Sequence, residues 1–274
     1  MSVYSIFPNL RFALQAIQSV LLRHENNTRF KSLNHHSIIV YSMQTLGIIG
    51  GLGPETTSNF YMRVQALVDP GLTGSRPPMI IHSVPISTEL ERENIIYERG
   101  FEPVLPYLLK AAKSLENAGS DFVVLVCNSL HIFEEQISAS INIPFVSMVD
   151  ATADYVVSKG IKKVGLLGTY KTKSSGIYTR ALESKGVETI QTSEQEQKML
   201  AESIIRLVNG SYASEDRVLL KNLLMRMLGQ GASKVVLACT DLHLAIDFDD
   251  ASIADVIVDS TEILAQRSAA VIQS

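Results

Sequence analysis

The stretch Gly119-Ser-Asp-Phe-Val-Val-Leu-Val-Cys-Asn-Ser-Leu-His131 has a counterpart in Gly231-Ala-Ser-Lys-Val-Val-Leu-Ala-Cys-Thr-Asp-Leu-His243. Seven positions agree in ungapped register: the glycine, Val-Val-Leu, the cysteine and Leu-His. Each copy is an apolar run without polar alternation, the pattern of a parallel strand buried on both faces. Outward from this pair, Leu46-Gly-Ile-Ile-Gly50 matches Val164-Gly-Leu-Leu-Gly168, and Phe60-Tyr-Met-Arg63 matches Ile177-Tyr-Thr-Arg180. Val149-Asp-Ala-Thr152 matches Val258-Asp-Ser-Thr261. The offsets are 112, 117–118 and 109 residues, so the order of elements is kept while loop lengths drift. That is the mark of an internal duplication.

Strands are predicted at Leu46–Ile49, Met79–Ser83, Phe122–Val126, Phe145–Met148, Val164–Leu167, Glu188–Ile190, Val235–Ala238 and Val256–Val258. Amphipathic patterns between them predict helices at Val104–Ala118, Ala151–Lys159, Ile177–Ser184, Lys198–Val208 and Asp216–Gln230. Alternation of the two predicts an α/β protein of two similar parallel-sheet lobes with a cleft between them. The first lobe is expected to span 43–148 plus about 255–274, and the second 149–254.

Composition narrows the function. The 274 residues are 46% hydrophobic and 19% charged, as in a globular protein with a large core, and the net charge is −4. Neither nucleic acid nor a membrane surface is an expected partner. No apolar run reaches the about 20 residues of a membrane span. No cysteine or histidine cluster has metal-ligand spacing, so no metal is expected. Residues 1–42 are basic apart from Glu25 and rich in Ser and Asn. They read either as an organelle-targeting presequence or as an upstream-start extension before Met43; the cytoplasm is the expected location under the second reading.

Cys127 and Cys239, the two cysteines of the chain, each close a buried strand. A helix is expected after each, capped by Asn128 or Ser129 in one copy and Thr240 or Asp241 in the other. Ligands of parallel sheets bind beyond the carboxyl ends of the strands, where helix N-termini favour anions and thiolates. A lone buried cysteine is often a small hydrophobe. Two at equivalent ends of duplicated lobes aim both sulfurs at one cleft. There one thiolate can remove a proton from one face of a carbon while the other thiol returns a proton to the opposite face.

Thr45-Leu-Gly-Ile-Ile-Gly-Gly-Leu-Gly-Pro54, Cys127-Asn-Ser129 and Ala238-Cys-Thr-Asp241 resemble the aspartate/glutamate racemase family, most closely its aspartate racemase branch. The resemblance covers about Gln44 to the C-terminus. It implies Rossmann-like lobes related by a pseudo-twofold and cofactor-independent racemisation of a small acidic amino acid, aspartate or glutamate, in a homodimer. By position it makes Cys127 and Cys239 the acid/base pair. Asn128, Ser129 and Thr240 would hold the substrate α-carboxylate. The Gly51, Gly53 and Thr56 loop would line the cleft, with Thr169 a further lining residue. Arg92 would face the distal carboxylate if an insertion is allowed in 86–100. Two departures stand: Ser129 where the family most often has Thr, and Asp241 where it most often has Glu. Other readings of the same residues are a hydantoin racemase- or maleate isomerase-like enzyme and a non-catalytic protein binding an acidic metabolite.

Several further features have plainer readings. Gly47, Gly50, Gly51 and Gly53 do not satisfy GxGxxG, and read as a tight turn with Pro54 early in a helix. His131 and His243 are expected as neutral core residues, and Asp150 and Asp259 as helix caps. Glu134, Glu135, Glu194 and Glu196 read as solvated helix faces. The repeated Tyr61/Arg63 and Tyr178/Arg180 positions read as packing or lobe contacts.

Overall fold

A computed structural model describes residues 43–69, 74–97, 101–211, 213–246 and 250–274. Both readings of residues 1–42 therefore lie outside the described residues. All eight predicted strands form, within a residue or two: β1 (Leu46–Gly50), β2 (Met79–Ser83), β3 (Phe122–Leu125), β4 (Phe145–Val146), β5 (Lys163–Gly168), β6 (Glu188–Ile190), β7 (Lys234–Ala238) and β8 (Ile257–Asp259). They make two parallel four-stranded sheets, ordered β2-β1-β3-β4 and β6-β5-β7-β8. The duplication holds down to register: Leu46 faces Phe122 in the first sheet, and the equivalent Val164 faces Lys234 in the second.

The central strands are apolar throughout because helices cover both faces. The helices are α1 (Pro54–Leu67), α2 (Thr88–Tyr97), α3 (Leu105–Asn117), α4 (Glu134–Ala139), α5 (Met148–Ser158), α6 (Tyr170–Ser175), α7 (Ile177–Glu183), α8 (Glu194–Val208), α9 (Ser214–Gly229), α10 (Ala251–Ala254) and α11 (Ser260–Ile272). In the first lobe Ile49, Val123 and Leu125 pack on Leu108, Ala111 and Leu115 of α3. In the second lobe Leu167, Val235 and Leu237 pack on Leu200 and Ile204 of α8 and Leu224 and Met227 of α9.

The opposite faces are covered by an exchange. Helix α5 leaves the first sheet after β4, yet Val149, Ala153 and Val156 pack on Val164, Val236 and Val258 of the second. Helix α11 leaves the second sheet after β8, yet Leu264, Ala265, Ala269 and Ile272 pack on Leu46, Ile48 and Val124 of the first. The two exchanged helices begin at the repeated segments, α5 at Met148 just before Val-Asp-Ala-Thr and α11 at Ser260 within Val-Asp-Ser-Thr, and pack on each other. Strand β8 pairs with β7, so the lobe boundary expected near 255 falls instead after Asp259. Near the other end of the folded unit, the Gln44 N–H donates to the Ile272 carbonyl at 3.2 Å.

Candidate active site

The cysteines sit where the repeat places them, just past β3 and β7. Each leads into a short 3-10 segment, Ser129–Phe133 in one copy and Thr240–Ala245 in the other, rather than the expected α-helix. Neither segment has a side-chain cap. The candidate caps are engaged elsewhere. Asn128 is drawn to the other lobe, and Asp241 is shared between Thr56 and the side chains of Cys239 and Thr240.

One cleft of about 530 Å³, its mouth included, receives both cysteines together with Asn128, Ser129, Thr169 and Thr240. Two carboxylates, Glu91 and Asp241, also line it. The remaining wall is mainly aliphatic: Leu52, Ile86 and Ile95 face Ile204 and Val208. The strand-end loops of the two sheets thus meet at one site, as the topology of parallel sheets requires.

The setting does not favour thiolates, contrary to the sequence-based expectation. Burial pushes the Cys127 thiol up to about 11, against the opposing effects of Ser129 Oγ, 3.7 Å away, and the Leu130 N–H. Burial also raises Cys239 well above its ordinary value, and the neighbouring Asp241 charge adds to this. A charge on Cys127 raises Cys239 further, so the two sulfurs influence each other electrostatically. Desolvation outweighs the few N–H groups that so short a turn can offer.

Two contacts tie the lobes across this site. Thr56 Oγ1, on α1 of the first lobe, donates to Asp241 Oδ1 at 3.2 Å, while Cys239 Sγ donates to Asp241 Oδ2 at 3.9 Å. Burial raises the Asp241 carboxyl above its usual range. From the second lobe, the buried Tyr178 hydroxyl donates to Asn128 Oδ1 at 2.5 Å. Ser260 Oγ, which donates to the Leu237 carbonyl at 2.7 Å, lies 3.2 Å from the same oxygen. Burial pushes the Tyr178 phenol up, so it stays a donor. Asn128 Nδ2 is buried without a partner, although Asn128 is only 2% exposed.

The turn before α1 brings Leu52, not its glycines, to the cleft wall. Gly51 has φ 82°, and a Cβ there would meet Ser83 Oγ at 2.5 Å and the Val84 nitrogen at 2.8 Å. Gly53 has φ 99° and precedes Pro54 at the first helical position. A Cβ on Gly53 would lie 3.4 Å from Asp241 Oδ1, an ordinary contact, so the positive φ rather than crowding is what favours glycine there. Thr169 caps α6, accepting from the Thr172 N–H at 3.2 Å. Arg92 is exposed on α2 and is not part of the cleft wall. Sequence reasoning misses Glu91, Tyr178 and Ser260 as site residues. Tyr178 and Ser260 lie in repeated segments, which is the available signal; Glu91 has no counterpart in the second lobe's repeat.

The histidines differ despite their equivalent positions. His131 is a core residue: Nδ1 donates to the Cys127 carbonyl at 2.8 Å and Nε2 accepts from the Met148 N–H at 3.1 Å. Burial pushes it down to about 4, which keeps it neutral. His243 is not a core residue. It is half exposed and pairs with Asp259 at 2.7 Å, which raises its pKa. Asp259 does cap α11, whereas Asp150 caps nothing and Ser147 caps α5. Among the described residues no three His, Cys, Asp or Glu side chains converge to hold a metal, and no helix is long and apolar enough to cross a membrane.

Residues 49–268 match the family described as Asp/Glu/hydantoin racemase. A broad specificity amino-acid racemase from Bacillus subtilis (strain 168) is 28% identical over 227 residues, 81% of this chain and 96% of that protein. An aspartate racemase homologue from Pyrococcus horikoshii OT3 superposes with a TM-score of 0.69 and 26% identity, over 85% of this chain and 100% of that one. The Picrophilus torridus aspartate racemase, at 24% identity, shares the fold with a TM-score of 0.67 over 83% of this chain and 94% of its own. A duplicated α/β chain with these strand-end motifs, matched over most of its length, is an enzyme of the Asp/Glu/hydantoin racemase family.

Proposed function

We propose that this chain racemises a free amino acid with Cys127 and Cys239 as the acid/base pair and without a cofactor. The observation that supports this most directly is that two buried thiols, one from each copy of the repeat, line a single cleft. In the forward direction the Cys239 thiolate takes the α-proton and becomes a thiol. The Cys127 thiol gives its proton to the opposite face and is left as thiolate. The amino acid is inverted and one proton has moved between sulfurs, so the reverse turnover restores the start.

Neutral thiols are the resting form, and one must lose a proton before the cycle begins. Asp241 Oδ2 lies within reach of the Cys239 thiol, and a carboxylate lifted by burial is a better proton acceptor than an ordinary one. Asn128 Nδ2, Ser129 Oγ and the Thr240 hydroxyl are the donors proposed for the α-carboxylate. The unpartnered Nδ2 supports this role, because a buried amide donor without an acceptor costs about 1–3 kcal/mol until a ligand supplies one.

The test is exchange of the α-proton in D2O for a panel of L- and D-amino acids, with aspartate and glutamate included because the family resemblance implies them. Cys127→Ser and Cys239→Ser should each abolish inversion, while hydroxylamine and chelators leave the native rate unchanged. Inversion that survives either serine variant would overturn the two-thiol assignment. Sedimentation of the purified chain tests the homodimer that the resemblance implies.

A further inference from the structure

The cleft carries a charge that the proposed chemistry leaves unused. Its wall contains two carboxylates and, among the described residues, no Lys, Arg or His. Asp241 is accounted for by Thr56, Thr240 and Cys239. Glu91 is not: the influences on its carboxyl are burial and Asp241, both of which raise its pKa, and no described cation offsets them. The field of both carboxylates reaches Cys127.

The placement of Glu91 results from how α2 lies. Leu90 and Ile86 pack on the core of the first lobe, whereas Ile95 packs on the core of the second. Helix α2 rests on α8, which supplies Ile204 and Val208 to the same wall. Glu91 is thus a half-buried carboxylate in an aliphatic channel that leads to the two sulfurs. At the inner end, the donors of Asn128, Ser129 and Thr240 suit one carboxylate, and Asn128 Nδ2 has no other partner.

An amino acid that fills this cleft brings an α-carboxylate for those donors and an α-ammonium that enters beside Asp241 before that carboxylate takes the Cys239 proton. A substrate with an acidic side chain would add a further negative charge beside Glu91 with no described cation to receive it. A cation there would satisfy Glu91, and the isoleucines and valine would cover an aliphatic stem. We propose, building on the racemase reading, that the substrate class of this cleft is amino acids with a cationic side chain on an aliphatic stem. Glu91 is the residue that selects them.

The experiment measures α-proton exchange in D2O and ligand-induced thermal shift with lysine, ornithine, arginine, methionine, aspartate and glutamate. Exchange and shift at the lowest concentrations are expected for the three cationic amino acids. Glu91→Gln should raise KM for lysine relative to KM for methionine by about ten- to hundredfold, the loss of one charge-assisted contact. Glu91→Lys should move the preference towards aspartate. Exchange confined to aspartate and glutamate overturns the specificity inference and leaves the racemase reading standing. Exchange of none, with thermal shift by the cationic amino acids, overturns the racemase reading and keeps the selectivity. An unchanged lysine-to-methionine KM ratio in Glu91→Gln removes Glu91 from the role, and neither exchange nor shift overturns both.

Discussion

Removing a single hydroxyl, in Tyr178→Phe, probes the tie between the lobes and the α-carboxylate site together. The ring is fully buried and phenylalanine keeps its volume, so packing is preserved and no cavity opens. What disappears is the 2.5 Å donor to Asn128 Oδ1. The other neighbour of that oxygen, Ser260 Oγ, has one proton and commits it to the Leu237 carbonyl. The buried amide oxygen is then unsatisfied, at a cost of about 1–3 kcal/mol. Urea unfolding should register a loss of about 2 kcal/mol, the middle of that range. The freed amide can also rotate, and its Nδ2 no longer waits in a fixed direction. Losing half of a charge-assisted contact worth about 1.5–3 kcal/mol raises KM by roughly three- to twelvefold, with kcat changing less. Kinetics of the exchange reaction separate this from simple destabilisation, since a structural role alone moves the urea midpoint and leaves KM untouched. Adding Asn128→Ala closes a double-mutant cycle: in that background Tyr178→Phe should have no further effect on KM. A KM that is unchanged in the single variant, or that rises equally in both backgrounds, would refute the assignment.

The buried titrating groups give two pH-dependent behaviours. Without substrate, alkylation of Cys127 should be about a hundredfold slower at neutral pH than for a thiol of ordinary pKa, and should rise about tenfold per pH unit towards 11. A rate that levels off near pH 9 would contradict burial as the controlling influence. His131, held neutral down to about pH 4, contributes stability that is present above the unfolded value of about 6.5. That stability is lost as pH falls from there towards 4, by up to about 3 kcal/mol, because only the unfolded chain gains the proton. Urea midpoints from pH 7 to 4 should therefore fall more steeply for the native chain than for His131→Gln. His243 works in the opposite sense: its pairing with Asp259 stabilises below pH 6.5 and fades as pH rises through its raised pKa.

The architecture is largely legible in the sequence because its decisive signals are local and doubled. A run such as Val-Val-Leu ending in cysteine has one reading as a strand, and its second copy fixes sheet order and register along with it. The helices over 104–118 and 216–230 are likewise readable from periodicity. Helix α8 begins at Glu194, four residues before the expected start, at a capping box of Ser193 and Glu196 that periodicity alone does not register. Glu196 is consequently no plain solvated face. A short element such as α6 escapes because a turn or two of helix leaves too little pattern to read. At the site, the residues that stand at the strand ends are legible, and those that reach the cleft from across the fold are not. The thiol environment differs from expectation for a physical reason: the sequence reveals the turn after the cysteine but not its depth, and depth decides the pKa.

The exchange of α5 and α11 also bears on the order of synthesis. The first sheet emerges from the ribosome early, but the apolar face formed by Leu46, Ile48 and Val124 is covered by Phe60 and Val64 of α1 and by residues 264–272, which follow both sheets in the chain. The second sheet meets its exchanged helix almost as soon as it appears, since α5 precedes it in the chain. A nascent chain thus assembles its second lobe on schedule while its first lobe waits, one face only partly covered by α1, for α11 to be made. Ser260 arrives on that same helix, so the surroundings of Asn128 are assembled only after both sheets have been made.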